Sequence, residues 1–347
     1  MKIKPRYLIT IGVLAGLYII TAMIGSSLRL TLHEIVVVGP PAALALVALV
    51  QYGFKMWPGV FLGALLASLL SNEPTGVSLG IAVGCTMEAV FGALILRRLV
   101  PFRPALSNIA SVVGLLVGVA LFSTTIGATI GITSLVVGGQ LSWSSYSTSW
   151  LLWWVGDIAG ALVVAPFLFV WHDGWRQIGR KRRKEFAALI LSTVAVGVIM
   201  LSWEFRPQGY NLQYLIFPLF IWAAFRFKQL GVTAVSIIAA VIAVSGVVGG
   251  SGPFAEAGVT QQQFSTLFNM VMLSISGMFL AVAVLQRESY EQGLVHKAEE
   301  LRLARDKILQ ELDAETEHEA RLADSNERIT KILGQLLNDK PGKPFKH

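Results

Sequence analysis

Long apolar runs alternate with short basic loops until about Gln286, where the chain changes character altogether. That segmentation restricts the fold more than any other feature, because ten such runs in one chain suit a bilayer and not a soluble core. The runs cover residues 7–24, 35–52, 57–70, 77–96, 109–130, 150–171, 186–203, 212–225, 231–248 and 264–285. A helix needs about 20 residues to cross the hydrocarbon, and about 17 at the short end. The third and eighth runs fall short, so they start among headgroups or re-enter, and the count stands between eight and ten. With 54% hydrophobic and 14% charged residues, lipid is the solvent for most of the chain. The expected fold is all-α. It comprises a polytopic membrane bundle over residues 1–285, a cytoplasmic parallel coiled coil over 286–337, and a disordered tail over 338–347.

Charge tests the threading independently, since Lys and Arg are retained on the cytoplasmic side. With the N-terminus inside, the inner segments before the tail carry Lys2, Lys4, Arg6, Lys55, Arg97, Arg98, Arg103, Arg176, Arg180, Lys181, Arg182, Arg183, Lys184, Arg226 and Lys228. The outer loops carry Arg29 and Arg206. Fifteen against two predicts ten spans with both termini cytoplasmic; one re-entrant hairpin would remove two spans without changing the rest. The run Arg180 to Lys184 reads as a stop-transfer anchor on anionic headgroups, not a nucleic-acid site. Trp143, Trp150, Trp153 and Trp154 read as an interfacial aromatic belt. No small-residue cleavage site follows the first run, so it is a span and not a signal peptide. The single cysteine, Cys85, excludes a disulfide framework and a Cys-rich metal site.

Beyond Gln286 a seven-residue series runs through Leu294, Leu301, Ile308, Glu315, Leu322, Ile329 and Leu336. A companion series four residues on holds Ala298, Arg305, Leu312, Glu319, Asn326 and Leu333. As d and a positions these form an apolar seam broken by polar layers, with Asp324–Arg328 and Glu327–Lys331 as supporting ion pairs. Two copies leaving the same membrane face must pair in parallel, which predicts a homodimer and a rod of about 78 Å. No proline lies between Phe264 and Asp339, so the last span and the rod can form one helix. Arg305, Glu315 and Glu319 weaken the seam's middle, which suits a coil that changes register.

Ionisable groups at membrane depth are costly and are candidate sites by default. Glu88 lies near the middle of the fourth span and Asp157 in the outer half of the sixth. Their depths differ by about 6 Å on helical rise, so both can line one polar cavity. Each can bind a ligand or cation, titrate, or lock helix packing. His33 and Glu34, a lone pair at an external boundary, do not make a metal site. The spacings Gly59/Gly63 and Gly156/Gly160 read as helix packing. Phosphate loops, zinc spacings and nucleophile elbows are absent. His318 lacks the proline-containing continuation of a phosphoacceptor and reads as an exposed coiled-coil histidine.

Three blocks together resemble the first of the bacterial membrane-associated sensor (MASE-type) domain families. They are Met56-Trp57-Pro58-Gly59-Val60-Phe61-Leu62-Gly63-Ala64, then Gly84-Cys85-Thr86-Met87-Glu88-Ala89 with Arg97-Arg98 after it, and Trp153-Trp154-Val155-Gly156-Asp157 continuing to Ala165-Pro166. Gly39-Pro40-Pro41 and Phe225-Arg226-Phe227 fit more loosely; the family often has Trp where Gly39 stands. The resemblance covers most of residues 8–285. It implies a sensory input module of the kind that precedes histidine kinases and cyclic-di-GMP enzymes, in a bacterial inner membrane. It makes Glu88, Asp157, Trp153, Trp154, Trp57 and Arg226 the sensing candidates and names no cofactor. No output domain follows the coil in the sequence, so either the partner is a separate chain or the reading frame has been shortened.

The leading expectation is a non-catalytic sensor with the lipid bilayer, a second copy of itself and a cytoplasmic kinase, cyclase or other signalling protein as partners. The alternative is a small-molecule transporter or a subunit of one, since buried carboxylates and short broken helices also suit a substrate path. A ligand-free assembly scaffold is the third reading.

Overall fold

The computed structural model describes residues 5–27, 39–201, 215–248 and 259–338. His33, Glu34, Arg29, Arg206 and the tail from residue 339 onward lie outside the described residues. Within them the chain is helical and holds no strand. Helices α1 (Pro5–Ser27), α2 (Pro40–Tyr52), α3 (Trp57–Leu70) and α4 (Thr75–Leu94) carry the first four runs. The fifth run is α5 (Ile109–Val113), a π-helical stretch Gly114–Ser123, and α6 (Thr124–Val137). The sixth is α7 (Tyr146–Ala159), a π-helical turn Gly160–Val164, and α8 (Ala165–Gln177). Then come α9 (Arg180–Leu201), α10 (Phe217–Val248) and α11 (Val259–Asn338).

Six helices among the described residues are long and apolar enough to cross a membrane, and Pro40–Tyr52 and Phe54–Leu70 are shorter apolar ones. α10 holds the eighth and ninth runs and folds back on itself. A Cβ on Gly277 would lie 2.6 Å from Phe220 and 2.7 Å from Val232. Twelve residues of straight helix would separate those two by about 18 Å. The reversal is at Lys228, whose φ of 56° and ψ of −138° break the helix.

Polar contacts draw the basic segments to one end of this bundle. Tyr7 Oη donates to the Lys55 carbonyl at 2.8 Å. Arg97 donates to the Leu49 carbonyl at 3.4 Å and lies over the Phe54 ring at 5.5 Å. Gln229 Nε2 donates to the Leu106 carbonyl at 2.9 Å, joining the loop after Arg103 to the turn at Lys228. Arg226 donates two bonds, of 2.6 and 2.7 Å, to Glu185 beside the Arg180–Lys184 run. The described parts of the five basic segments therefore lie at one end of the bundle.

Small residues make the helix approaches. A Cβ on Gly59 would lie 3.0 Å from Leu14, and one on Gly63 2.7 Å from Tyr18, so α3 rests directly on α1. Outward faces stay apolar, as at Leu62, Leu66, Phe91 and Phe122, where they meet acyl chains instead of core.

The chain divides into two compact units, Met1–Gln286 and Arg287–His347. In the second, helix α11 continues to Asn338 and every described side chain from Ser289 onward is exposed. Asp324 and Arg328 pair at 3.0 Å, four residues apart. The seam residues Leu294, Leu301, Ile308, Leu322, Ile329 and Leu336 are all more than half exposed in the single chain.

Candidate functional site

Glu88 owes its position to a ladder of small residues. Gly80, Gly84, Glu88 and Gly92 recur every fourth residue on α4, so they share one face. That face packs on the fifth run. A Cβ on Gly84 would lie 3.1 Å from Ile130, and one on Gly92 3.0 Å from Ser123 Oγ. At the Glu88 rung the opposing residue is Gly127, where a Cβ would overlap Glu88 Oε2. The absence of a side chain on α6 makes the space for the carboxyl. Ser123 Oγ, at the end of the π-helical stretch, donates to the Glu88 backbone carbonyl at 2.5 Å and fixes the height of the two helices.

Asp157 approaches from α7. Its neighbour Gly156 accepts a 3.0 Å backbone bond from Gly39 N, just before α2. A Cβ on Gly39 would stand 2.5 Å from Asp157 Oδ1, so the chain before α2 closes over the carboxyl. Directly after Asp157 comes the π-helical turn Gly160–Val164. Pro166 accounts for it: in a regular α-helix its ring would clash with the Leu162 carbonyl and it brings no N–H, so the preceding turn widens.

The two carboxyl groups lie within interaction range of each other. Both residues are buried, Glu88 6% and Asp157 8% exposed. An ionised carboxylate only accepts and two like charges repel, so two buried carboxyls this near each other favour sharing one proton. The Trp153 side chain lies beside Asp157, and its ring is 3.0 Å from the Cβ position of Gly131 on α6. Tyr18 of α1 and Cys85, one turn before Glu88, lie side by side next to the pair. The result is a closed polar cluster drawn from α1, α4, α6 and α7. Chemically it can hold or release a proton, or exchange that proton for a small cation, and either change alters the contact between α4 and α7.

Of the candidates read from the sequence, Glu88, Asp157 and Trp153 come together. Trp154 stacks on Trp150 at 5.5 Å, and its buried Nε1 has no hydrogen-bond partner among the described residues. Trp57 is half exposed at the basic end, edge-on to Phe61 at 6.4 Å. Arg226 is at that end too, in its ion pair with Glu185, whose carboxyl the guanidinium holds below the ordinary range. Neither belongs to the carboxyl cluster. Among the described residues no group of His, Cys, Asp and Glu fits a metal ion. Sequence reasoning missed Tyr18 and Gly127. A lone tyrosine in an apolar span carries little signal, but the ladder at 80, 84, 88 and 92 and the pair Gly127/Gly131 were readable as close-approach spacing.

Comparison with known proteins agrees with this description. Residues 10–288 match the family MASE1. A curated relative, the probable diguanylate cyclase DgcE of Escherichia coli (strain K12), is 25% identical over 194 residues, which is 55% of this chain and 17% of the relative. No solved structure matches.

Proposed function

The chain belongs to the MASE1 family, and from that premise we propose that it is an integral membrane sensor feeding a cytoplasmic signalling partner. The cue, external or membrane-borne, acts on the Glu88–Asp157 pair. The response travels through the last span into a dimeric coil formed by the tails of two copies, and the coil acts on a kinase, cyclase or other separate signalling protein. The basic face is the cytoplasmic one.

The observation that carries this reading is the burial of two neighbouring carboxyl groups on two spans of the matched region. A packing lock has no need of ionisable groups, because apolar side chains of similar volume fill such a position at lower cost. A shared proton, by contrast, gives the bundle two states that differ in charge. The named activity of the curated relative supports a signalling output, and the seven-residue seam of the tail supports a paired rod as the route to it.

A reporter experiment tests the route. A diguanylate cyclase domain is fused after Asn338, and residues are inserted after Gln286. Four inserted residues change the phase of the seam and should change cyclic-di-GMP output; seven restore the phase and should restore output. Output indifferent to both insertions rejects the relay. Substrate accumulation in proteoliposomes by a chain lacking the tail would replace it with transport.

A further inference from the structure

The helix that carries Asp157 meets the last span through one buried hydrogen bond. Ser274, fully buried on α11, donates through Oγ to the carbonyl of Leu162 at 2.6 Å. Leu162 lies inside the π-helical turn that follows Asp157. In an α-helix the bond onto that carbonyl comes from the N–H four residues on, and that residue is Pro166. The proline thus frees a carbonyl and the widened turn presents it sideways, where Ser274 accepts the task of satisfying it. An unsatisfied buried carbonyl is costly, so the hydroxyl follows the carbonyl when either helix moves.

One turn further along α11, Gln229 Nε2 donates to the Met278 carbonyl at 3.1 Å and to Leu106 at 2.9 Å. Gly277 sits against Phe220 and Val232 with no room for a methyl group. These contacts hold α11 against the α10 hairpin and the basic-face loop. They share no helix with either carboxyl. Among the described residues, the Ser274 bond is the side-chain hydrogen bond from α11 that reaches a segment continuous with the site.

We infer that Ser274 is the positioning residue that couples the carboxyl pair to the last span, with the proline-freed Leu162 carbonyl as its counterpart. A shift of α7 when the pair changes state moves the widened turn, and the carbonyl pulls or releases α11 at Ser274. This rests on the reading of the pair as the input site.

The test uses the full chain in lipid nanodiscs with Cys85 kept, and a spin-labelled non-canonical amino acid at position 286. The perturbation is Asp157→Asn. Infrared carboxyl absorption reports the state of Glu88, and the label reports the end of the last span. With Ser274 present, Asp157→Asn should change both signals. With Ser274→Ala the infrared change should persist while the label response falls about fivefold, the population ratio that one net hydrogen bond controls. Ser274→Thr, which keeps the hydroxyl, should retain the response. Pro166→Ala supplies a competing N–H and should weaken it with Ser274 untouched. An equal label response in Ser274→Ala and the parent overturns the coupling role and leaves the sensing site standing. A label that ignores Asp157→Asn in the parent, while Glu88 responds, overturns the coupling role and the relay together.

Discussion

Replacing Gly127 by alanine addresses the geometry of the site with a single methyl group. A Cβ there would overlap Glu88 Oε2, lie 3.0 Å from its Cδ and 3.3 Å from its Cβ. Glu88 has little freedom to retreat, because Ser123 holds its backbone carbonyl at 2.5 Å. The carboxyl must therefore swing off Asp157. Overpacking a filled interior costs about 1–3 kcal/mol, and stranding a buried polar group costs about as much again. Against that, alanine gains up to about 1 kcal/mol over glycine in a helix. The net expectation is a loss of about 2 kcal/mol. Gly16→Ala is the control, since nothing lies within 4 Å of its Cβ position; it should be neutral or slightly stabilising. Unfolding by denaturing detergent in bicelles measures both. Glu88→Ala costs stability by itself, but adding Gly127→Ala to it should cost almost nothing more, a coupling of about 2 kcal/mol. If Gly127→Ala is no worse than Gly16→Ala, or its cost persists without Glu88, the placement of the carboxyl against α6 is wrong.

Asp157→Ala and Glu88→Ala should each lower stability by about 1–3 kcal/mol by stranding the other carboxyl, and the double variant should lose less than their sum. Lys228→Gly should raise the unfolding midpoint, because a φ of 56° with a ψ of −138° suits glycine alone, and Lys228→Val should lower it by about 1–3 kcal/mol. The Glu185–Arg226 pair should contribute at neutral pH and fade only as pH falls below the ordinary carboxylate value of 4.5, since its hydrogen bonds from Arg226 lower the Glu185 pKa. Glu185→Gln should therefore flatten the acid limb of the stability profile and leave the limb above pH 6 unchanged in shape, as read by detergent unfolding across pH.

Apolar segmentation made the helical bundle legible, because a span must be long, apolar and internally hydrogen-bonded whatever its neighbours do. The basic loops made the common face legible for the same reason. The reversal at Lys228 was visible as two short runs flanking Arg226 and Lys228, although helix periodicity alone runs straight through it. The site was half legible. Glu88 and Asp157 announce themselves by charge in an apolar setting, yet helical rise alone set them about 6 Å apart in depth and predicted a cavity between them. How near side-chain length and helix tilt bring two such groups cannot be read from one sequence. Trp57 and Arg226 share a resemblance with the site residues but not a location, since motif blocks record position along the chain and not in the bilayer. Ser274 gave no signal at all: its partner is a backbone carbonyl, which a sequence does not mark except through the proline that frees it.

The central claim is that the carboxyl pair and the tail belong to one mechanical path. Cysteines placed singly at Leu294, Leu301, Ile308, Leu322, Ile329 and Leu336 and at the residues flanking each, with Cys85 kept and the chain carrying Cys85 alone as the control, measure it most directly in native membranes. The seam positions should crosslink between copies in the parent chain, and Glu88→Gln should move the crosslinking maximum to neighbouring positions of the repeat of about 3.5 residues. Crosslinking at background level, or a pattern identical in the two chains, would contradict the account.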